Sequence, residues 1–155
     1  LGAAAVNQGP PSYGPYALAL AGNHLAIAST ESKDVRVLDT ATRTMRPVIA
    51  KTVGSPYFPA WSPDGKRLWV PTQSPDALAE IDAETGKVLR NQALGSACVK
   101  PHEVVATPDG ARLYVVCEGD HVGPGRVLVL DAATWTVTAS PEVGVYPDRL
   151  VVVYK

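Results

Sequence analysis

The sequence predicts an all-β fold built from repeated four-stranded units, and two recurring patterns support this prediction. The first is a turn, Ser62-Pro63-Asp64-Gly65, followed by a Leu-aromatic-Val strand, which returns as Thr107-Pro108-Asp109-Gly110 about 45 residues later. Proline presets φ at the first turn position and glycine accepts a positive φ, so each copy is typical of a β-hairpin. A weaker copy at residues 20–27 makes three units.

The second pattern is a short apolar strand that follows each hairpin and ends in an aspartate, at Asp39, Asp82 and Asp131. A threonine-containing turn comes next, and there we expect the carboxylate to accept backbone N–H groups rather than to act in catalysis. A fourth strand then completes a unit of roughly 45 residues, the size of one β-propeller blade. The expected boundaries are 1–14 for a linker or the end of a preceding blade, 15–55 for blade one, 56–100 for blade two, 101–146 for blade three and 147–155 for the first strand of a further blade.

These residues resemble the YVTN-type β-propeller repeat over about residues 15–153. Blade two matches best, with the hairpin at 62–70 and the run Ile-Asp-Ala-Glu-Thr-Gly-Lys-Val at 81–88, and blade three has Leu-Tyr-Val-Val at 113–116. The resemblance implies an exported, seven-bladed propeller, with lactonase-like and amine-dehydrogenase-like propellers as relatives. Blade one departs from the pattern because it lacks Pro-Asp-Gly. Pro59 and Pro71 fall inside expected strands of blade two, which predicts irregular pairing there.

Three blades and one extra strand do not close a ring, because a propeller needs at least about four blades. We therefore expect a segment of a six- to eight-bladed ring. Its partners would be the remaining blades of the same propeller or a second copy of the chain, and we favour the first. Either would cover the strand edges and apolar blade faces that an open segment exposes.

Composition narrows the function and the compartment. The chain has 14 Lys and Arg against 15 Asp and Glu, and it lacks the clustered basic residues that nucleic-acid binding requires. No apolar stretch approaches the roughly 20 residues of a membrane span. The low charge and the abundance of Ala, Val and Pro are typical of an exported β-protein, so the expected location is periplasmic or extracellular.

The strand order of a four-stranded meander places two sets of loops on one face: those that enter each first strand and those that join the second and third strands. Tyr16, Tyr57, His102 and Asp148 occupy equivalent positions there, just after the proline that opens each unit and at the mouth of the central channel. A histidine beside carboxylates can serve as a base, a ligand or a pH-sensitive donor. The alternative is that these are solvated residues at loop ends, with Glu103 and Arg149 forming a weak ion pair on the surface. The candidate ligand-binding residues are His102, Glu103, Asp148, Arg149, Tyr57, Asp120 and His121.

The loop at 118–125 accounts for the greater length of blade three, and it contains three glycines and a proline. Loops on a rigid scaffold are where binding residues concentrate. We therefore expect the ligand or partner at the face that bears this loop.

The two cysteines, Cys98 and Cys117, are expected at the same end of adjacent strands, which makes a disulfide geometrically plausible. Each cysteine is also followed four residues later by a histidine, so Cys98, His102, Cys117 and His121 could form a zinc or copper site. Free thiols are a third possibility. No other cofactor is predicted.

The function that the sequence favours is a binding or scaffolding platform for a protein or small molecule. The alternative is the propeller part of an oxidoreductase or a lactonase-like enzyme, with a metal or polar site at the channel mouth. No nucleophile with its base and no glycine-rich phosphate loop is recognisable, so no catalytic residue is assigned. Trp61 and Trp69 are expected to pack between blades, whereas Trp135 could be a surface anchor or a turn cap.

Overall fold

The structure is a computed structural model that describes residues 13–153. One short 3-10 helix, Gly95–Ala97, stands among its strands. The strands are β1 (Pro15–Ala21), β2 (His24–Ser29), β3 (Asp34–Asp39), β4 (Thr44–Lys51), β5 (Ser55–Pro56), β6 (Ala60–Trp61), β7 (Arg67–Gln73), β8 (Ala77–Asp82), β9 (Val88–Ala93), β10 (Pro101–Ala106), β11 (Arg112–Cys117), β12 (Pro124–Asp131), β13 (Val137–Ala139) and β14 (Glu142–Val145).

The strands form three antiparallel sheets that follow one another along the chain. The first has the order β1-β2-β3-β4, the second β5-β7-β8-β9 with β6 also on β7, and the third β10-β11-β12-β13 with β14 also on β12. Each sheet is therefore a meander with four strand positions, which confirms the predicted all-β segment of a propeller.

Proline interrupts the first strand of blade two, as the sequence predicts. We call the first strand of each blade, which lines the central channel, its inner strand. Pro59 lies between β5 and β6, and both of these short strands pair with β7. Pro71 stays in β7 opposite Leu78, and its carbonyl oxygen accepts the N–H of Tyr57 at 2.9 Å. Proline has no N–H to donate, so the β-ladder has fewer hydrogen bonds at this point.

The segment after blade three differs from the expected extra strand. Residues 147–153 form no strand, and residues 154–155 lie outside the described residues, as do residues 1–12. An inner strand is held by the second strand of its own blade, and no second strand follows this segment within residues 13–153. The segment is held instead through side chains, since the backbone N–H of Leu150 donates to the Glu103 carboxylate at 2.6 Å.

Two apolar clusters fill the spaces between the blades. The first includes Ala26, Trp61 and Leu68 between blades one and two, and the second includes Trp69 and Leu113 between blades two and three. Trp61 and Trp69 thus pack between blades, as predicted. Trp135 is buried as well, with the Arg90 guanidinium 4.3 Å above its ring, so it is not a surface anchor.

Blades two and three also meet directly at their inner strands. The N–H of Phe58 donates to the carbonyl of His102 at 2.9 Å, and the N–H of Val104 donates to the carbonyl of Phe58 at 3.1 Å. These bonds fix the distance between the channel-lining ends of the two blades. Among residues 13–153, no helix has the length and apolar character needed to cross a membrane.

Candidate functional site

The site lies on the loop face, which we define by Tyr16, Tyr57, His102, residues 118–125 and Asp148. The ladders β1-β2 and β10-β11 both shift register at their first residues, between Pro15 and Ala17 and between Pro101 and Glu103. Tyr16 and His102 are therefore the extra residues of two equivalent bulges. A bulge redirects a side chain out of the strand's alternation, which accounts for both rings standing at the channel mouth.

Aromatic rings from all three blades meet at this point. The ring centroids of Tyr16 and Tyr57 are 5.1 Å apart, and those of Tyr57 and His102 are 5.0 Å apart. Phe58 lies 5.1 Å from His102. The structure thus brings together three of the four positions that the repeat marks as equivalent, and the rings of Tyr16, Tyr57 and Phe58 pack around the His102 imidazole.

The His102 imidazole is 2% exposed and has a defined tautomer. Its Nδ1 is 2.7 Å from the backbone carbonyl oxygen of Asp148, and a carbonyl can only accept, so Nδ1 carries the hydrogen. In the neutral ring, Nε2 then has a lone pair. This lone pair faces the Tyr16 hydroxyl at 3.3 Å and Glu118 Oε1 at 3.5 Å.

Glu118 is a second buried ionisable group, with 4% of its surface exposed. Its Oε1 accepts a hydrogen bond from Gln73 Nε2 at 3.3 Å, and its Oε2 lies 2.6 Å from His121 Nε2. Within residues 13–153, His102 and His121 are the only basic side chains within 4.0 Å of this carboxylate. A buried carboxylate without a permanent cation beside it is costly unless it is hydrogen-bonded or a ligand neutralises it.

Asp148 completes the group from the segment after blade three. Its side chain is 55% exposed, and its Oδ1 is 3.2 Å from His102 Nδ1. One potential ligand atom from each of His102, Glu118 and Asp148 lies within 4.8 Å of the others. The three residues could therefore share a cation or a polar ligand group.

The tyrosines at the site are held as neutral phenols. Burial raises the pKa of Tyr16, and the Asp148 and Glu118 carboxylates raise it further because they repel a phenolate. Burial also raises the pKa of Tyr57, with Glu118 adding to the effect. Tyr16 can therefore donate its hydroxyl hydrogen to the Nε2 lone pair of His102.

Glu103 and Arg149 form a structural pair rather than the weak surface pair of the alternative prediction. Glu103 is buried, and its Oε1 accepts a hydrogen bond from Arg149 Nε at 3.1 Å. The Arg149 guanidinium also lies 4.2 Å above the Phe58 ring. These contacts fasten residues 147–150 over blade three and so position Asp148.

The 118–125 loop is shaped by its own hydrogen bonds. Asp120 Oδ1 accepts the N–H groups of Gly123 at 2.8 Å and Val122 at 2.9 Å, and these bonds lower the pKa of Asp120. Asp120 is thus a turn residue, and the structure does not bring it to the other candidates. His121 has a positive φ of 70° and packs its ring 4.0 Å from that of Tyr146. Val122 stands at the tip, 82% exposed.

The cysteines form the disulfide Cys98–Cys117, with their Cα atoms 5.1 Å apart. Neither sulfur is a thiolate, so neither the four-residue zinc or copper set nor the free-thiol alternative is present. The disulfide instead ties the approach to β10 to the end of β11. Glu118 was not singled out from sequence, although its place directly after Cys117 at a strand end was a usable signal.

A cleft of about 560 Å³ opens on the opposite face, between blades one and two. Two of its charged side chains are already engaged: Arg46 Nη2 is 2.7 Å from His24 Nε2, Arg46 Nη1 donates to the Ala83 carbonyl at 3.2 Å, and Asp82 accepts backbone N–H groups. The loop face, in contrast, holds the buried pair of ionisable side chains, His102 and Glu118. We therefore place the candidate site there.

Comparison with known proteins identifies the class as a β-propeller. No protein-family model matches the sequence, and no curated protein matches it. Among solved structures, hydrazine synthase of Kuenenia stuttgartiensis superimposes with a TM-score of 0.75 at 24% identity over 84% of this chain and 37% of that chain. The Swd1 β-propeller domain of Myceliophteria thermophila gives a TM-score of 0.69 at 15% identity, over 85% and 43%. A putative 6-phosphogluconolactonase of Bacteroides fragilis gives 0.67 at 21% identity, over 88% and 41%.

These identities show the fold and nothing finer. The chain spans about two-fifths of the length of each of these structures, as expected of a partial propeller. The neighbours include a propeller domain and enzyme-related proteins, so the fold alone does not select between the two functions that the sequence left open. The YVTN-type repeat remains a resemblance.

Proposed function

We propose that this chain is a three-blade segment of an exported β-propeller that works as a binding platform, and that it contacts its ligand or partner at the loop face. The observation that carries the proposal is the convergence of all three blades and the following segment on the buried pair His102 and Glu118. Burying two ionisable side chains costs stability and contributes little to the fold, so a ligand-binding role accounts for them better than packing does.

The exposed rim of the loop face has the residue types that dominate binding energy. Tyr16 and Tyr146 are both about half exposed, Val122 stands at the loop tip, and the Arg149 side chain is 57% exposed. Tyrosine and arginine are the residues most often responsible for large losses of affinity when they are truncated. A partner with an apolar or aromatic group would complement this rim.

The remaining blades would complete the channel around the site. Leu18 and Leu20 on β1 are 60% and 64% exposed, and they point away from blade two, whereas Ala17 is buried against it. Apolar side chains on an inner strand are normally covered by the preceding blade. We therefore assign this face of blade one to the rest of the propeller or to a second copy.

Site-specific photo-crosslinking in the full-length protein tests the proposal. A photoreactive residue at Val122 should yield a defined adduct in the source cells, and the same residue at Lys66, on the opposite face, should not. Truncating Tyr146→Ala should lower the Val122 adduct about tenfold, the usual effect of removing one major contact. Adducts of equal yield from both positions, or an adduct insensitive to Tyr146→Ala, would contradict the proposal.

A second candidate is an enzyme, and the grouping of His102, Glu118 and Asp148 ligand atoms favours it. A metal or polar site of this kind could polarise a carbonyl or activate water, as a lactonase-like or oxidoreductase propeller would require. Hydrolysis of simple lactones by the full-length protein, lost in Glu118→Gln, would support this reading. Activity unchanged in that variant would exclude Glu118 from the chemistry.

A further inference from the structure

We propose that His102 Nε2, Glu118 and Asp148 bind one divalent first-row transition-metal ion, with Zn²⁺ as the ion to test. The proposal rests on the proposed function in one respect, namely that the loop face carries a binding site, and it names the ligand of that site. It replaces the cysteine-based set, whose sulfurs are joined in the disulfide.

The spacing of the two buried ligand atoms fits such an ion. His102 Nε2 and Glu118 Oε1 are 3.5 Å apart. Two ligand atoms that each lie about 2.0–2.2 Å from one tetrahedral Zn²⁺ are separated by about 3.4 Å. Both atoms can therefore bind one ion with little movement of either side chain.

The His102 tautomer is the one that metal binding requires. Metal-bound histidines commonly donate their other ring N–H to a carbonyl or carboxylate, which orients the ring and leaves the second nitrogen for the metal. Here Nδ1 donates to the Asp148 carbonyl, and Nε2 points toward Glu118. The Tyr16 hydroxyl lies 3.3 Å from Nε2, so it must turn aside or become a ligand when an ion binds there.

Hydrogen bonds orient the Glu118 carboxylate in the same way. Gln73 Nε2 lies 3.3 Å from Oε1 and His121 Nε2 lies 2.6 Å from Oε2. Gln73 comes from the end of β7, and His121 from the 118–125 loop. Two separate elements thus hold one carboxylate in place, which is how supporting residues fix a metal ligand.

The charge balance also favours a dication. Glu118 and Asp148 place two carboxyl groups beside one imidazole. The neighbouring cations are engaged elsewhere: Arg149 pairs with Glu103 at 3.0 Å, and the Lys100 ammonium lies 3.3 Å from His121 Nε2. Asp148 Oδ1 lies 3.2 Å from Nδ1, so the exposed carboxylate must rotate to reach an ion on Nε2. Imidazole with carboxylate oxygens is a ligand set suited to Zn²⁺ and its first-row neighbours.

Zn²⁺ titration of the chelator-stripped full-length protein, followed by isothermal calorimetry, tests the inference. We expect saturation at one Zn²⁺ per chain at this site and a dissociation constant at least about tenfold weaker in Glu118→Gln, which keeps the shape and removes the charge. The matched control is Glu80→Gln, because Glu80 pairs with Arg67 in blade two, away from the site. It should bind Zn²⁺ as the wild type does.

A second variant and a spectroscopic readout keep the test independent of folding. His102→Gln should weaken binding as Glu118→Gln does, and both variants should retain the far-ultraviolet dichroism of the wild type. Co²⁺ in the same site should give d–d bands without a thiolate-to-cobalt band. No Zn²⁺ binding, or binding that both variants leave unchanged, would overturn the inference. If Val122 crosslinking persists after chelation, the proposed binding function stands even when the metal inference fails.

Discussion

His102 donates its Nδ1 hydrogen to the backbone carbonyl oxygen of Asp148, 2.7 Å away and 46 residues further along the chain. This bond joins the inner strand of blade three to the segment that follows the blade. It also leaves the Nε2 lone pair facing Tyr16 and Glu118. This one hydrogen bond thus both holds residues 147–150 against blade three and sets the tautomer of His102.

The disulfide should be a major source of stability in blade three. Cys98 and Cys117 are 19 residues apart, and closing a loop of this size stabilises a fold by about 3 kcal/mol through the unfolded state. We expect the double variant Cys98→Ala and Cys117→Ala to lose about this much in urea unfolding. A reductant should destabilise the wild type and leave the double variant unchanged. Equal stability of the oxidised wild type and the variant would contradict this.

The two inter-blade tryptophans should differ in their response to loss of the indole N–H. Trp61 Nε1 donates to the Ala19 carbonyl at 2.9 Å, across the interface of blades one and two, whereas Trp69 Nε1 is buried with no partner among the described residues. Trp61→Phe should therefore lower the free energy of unfolding by about 1–2 kcal/mol more than Trp69→Phe does, because the Trp61 substitution also leaves the Ala19 carbonyl unpaired. Urea unfolding of both variants measures the difference. An equal cost would show that the bond contributes nothing.

The buried ion pair of Asp34 and Arg36 in blade one should contribute far more to the free energy of unfolding than an exposed ion pair does. Burial alone would raise the pKa of Asp34, yet hydrogen bonds from Arg36 and Lys51 outweigh it, and the pKa is lowered. Asp34→Ala leaves the Arg36 charge without its partner and should cost about 3 kcal/mol. The control is Glu142→Ala, which breaks the exposed pair with Arg126 and should cost less than about 1 kcal/mol. Comparable losses in thermal unfolding would contradict the distinction.

The recurring aspartates should make the free energy of unfolding depend on pH in the acidic range. Backbone N–H groups three residues further on lower the pKa values of Asp39, Asp82 and Asp131. A carboxyl whose pKa is lower in the folded state stabilises the fold above its unfolded value, about 3.9, and loses that effect as the pH falls through the folded value. Asp82→Asn, which keeps the acceptor without the charge, should be less stable than the wild type at pH 7. The difference in unfolding free energy between the wild type and Asp82→Asn should narrow toward pH 3, as measured by urea unfolding. A difference that stays constant with pH would contradict a lowered pKa for Asp82.

The blades could be predicted from the sequence because their signals are local. The turn chemistry at 62–65 returns at 107–110, and an aspartate precedes the outer turn of every unit. The same local pattern bears on one candidate, Asp120. Asp120 bonds the N–H groups two and three residues on, as the blade aspartates do, so its role as a turn residue could have been recognised.

The site was only partly predictable, since its parts come together through tertiary contacts. The equivalence of Tyr16, Tyr57 and His102 follows from the repeat, but the bulges that turn two of them to the channel mouth have no sequence signature here. The burial of Glu118 depends on Gln73, 45 residues earlier, and on the fold of its own loop. Residues 147–153 form no strand, because pairing requires a partner strand and none follows them among the described residues.

The tautomer of His102 is the most direct test of this account. Long-range ¹H–¹⁵N correlation spectra of the chelator-stripped protein at about pH 8 would report which ring nitrogen carries the hydrogen. We expect hydrogen on Nδ1 and a lone pair on Nε2, together with a large shift of the Nε2 resonance when Zn²⁺ is added. Hydrogen on Nε2, or an imidazolium at this pH, would mean that no lone pair faces Glu118, and the site as described would be wrong.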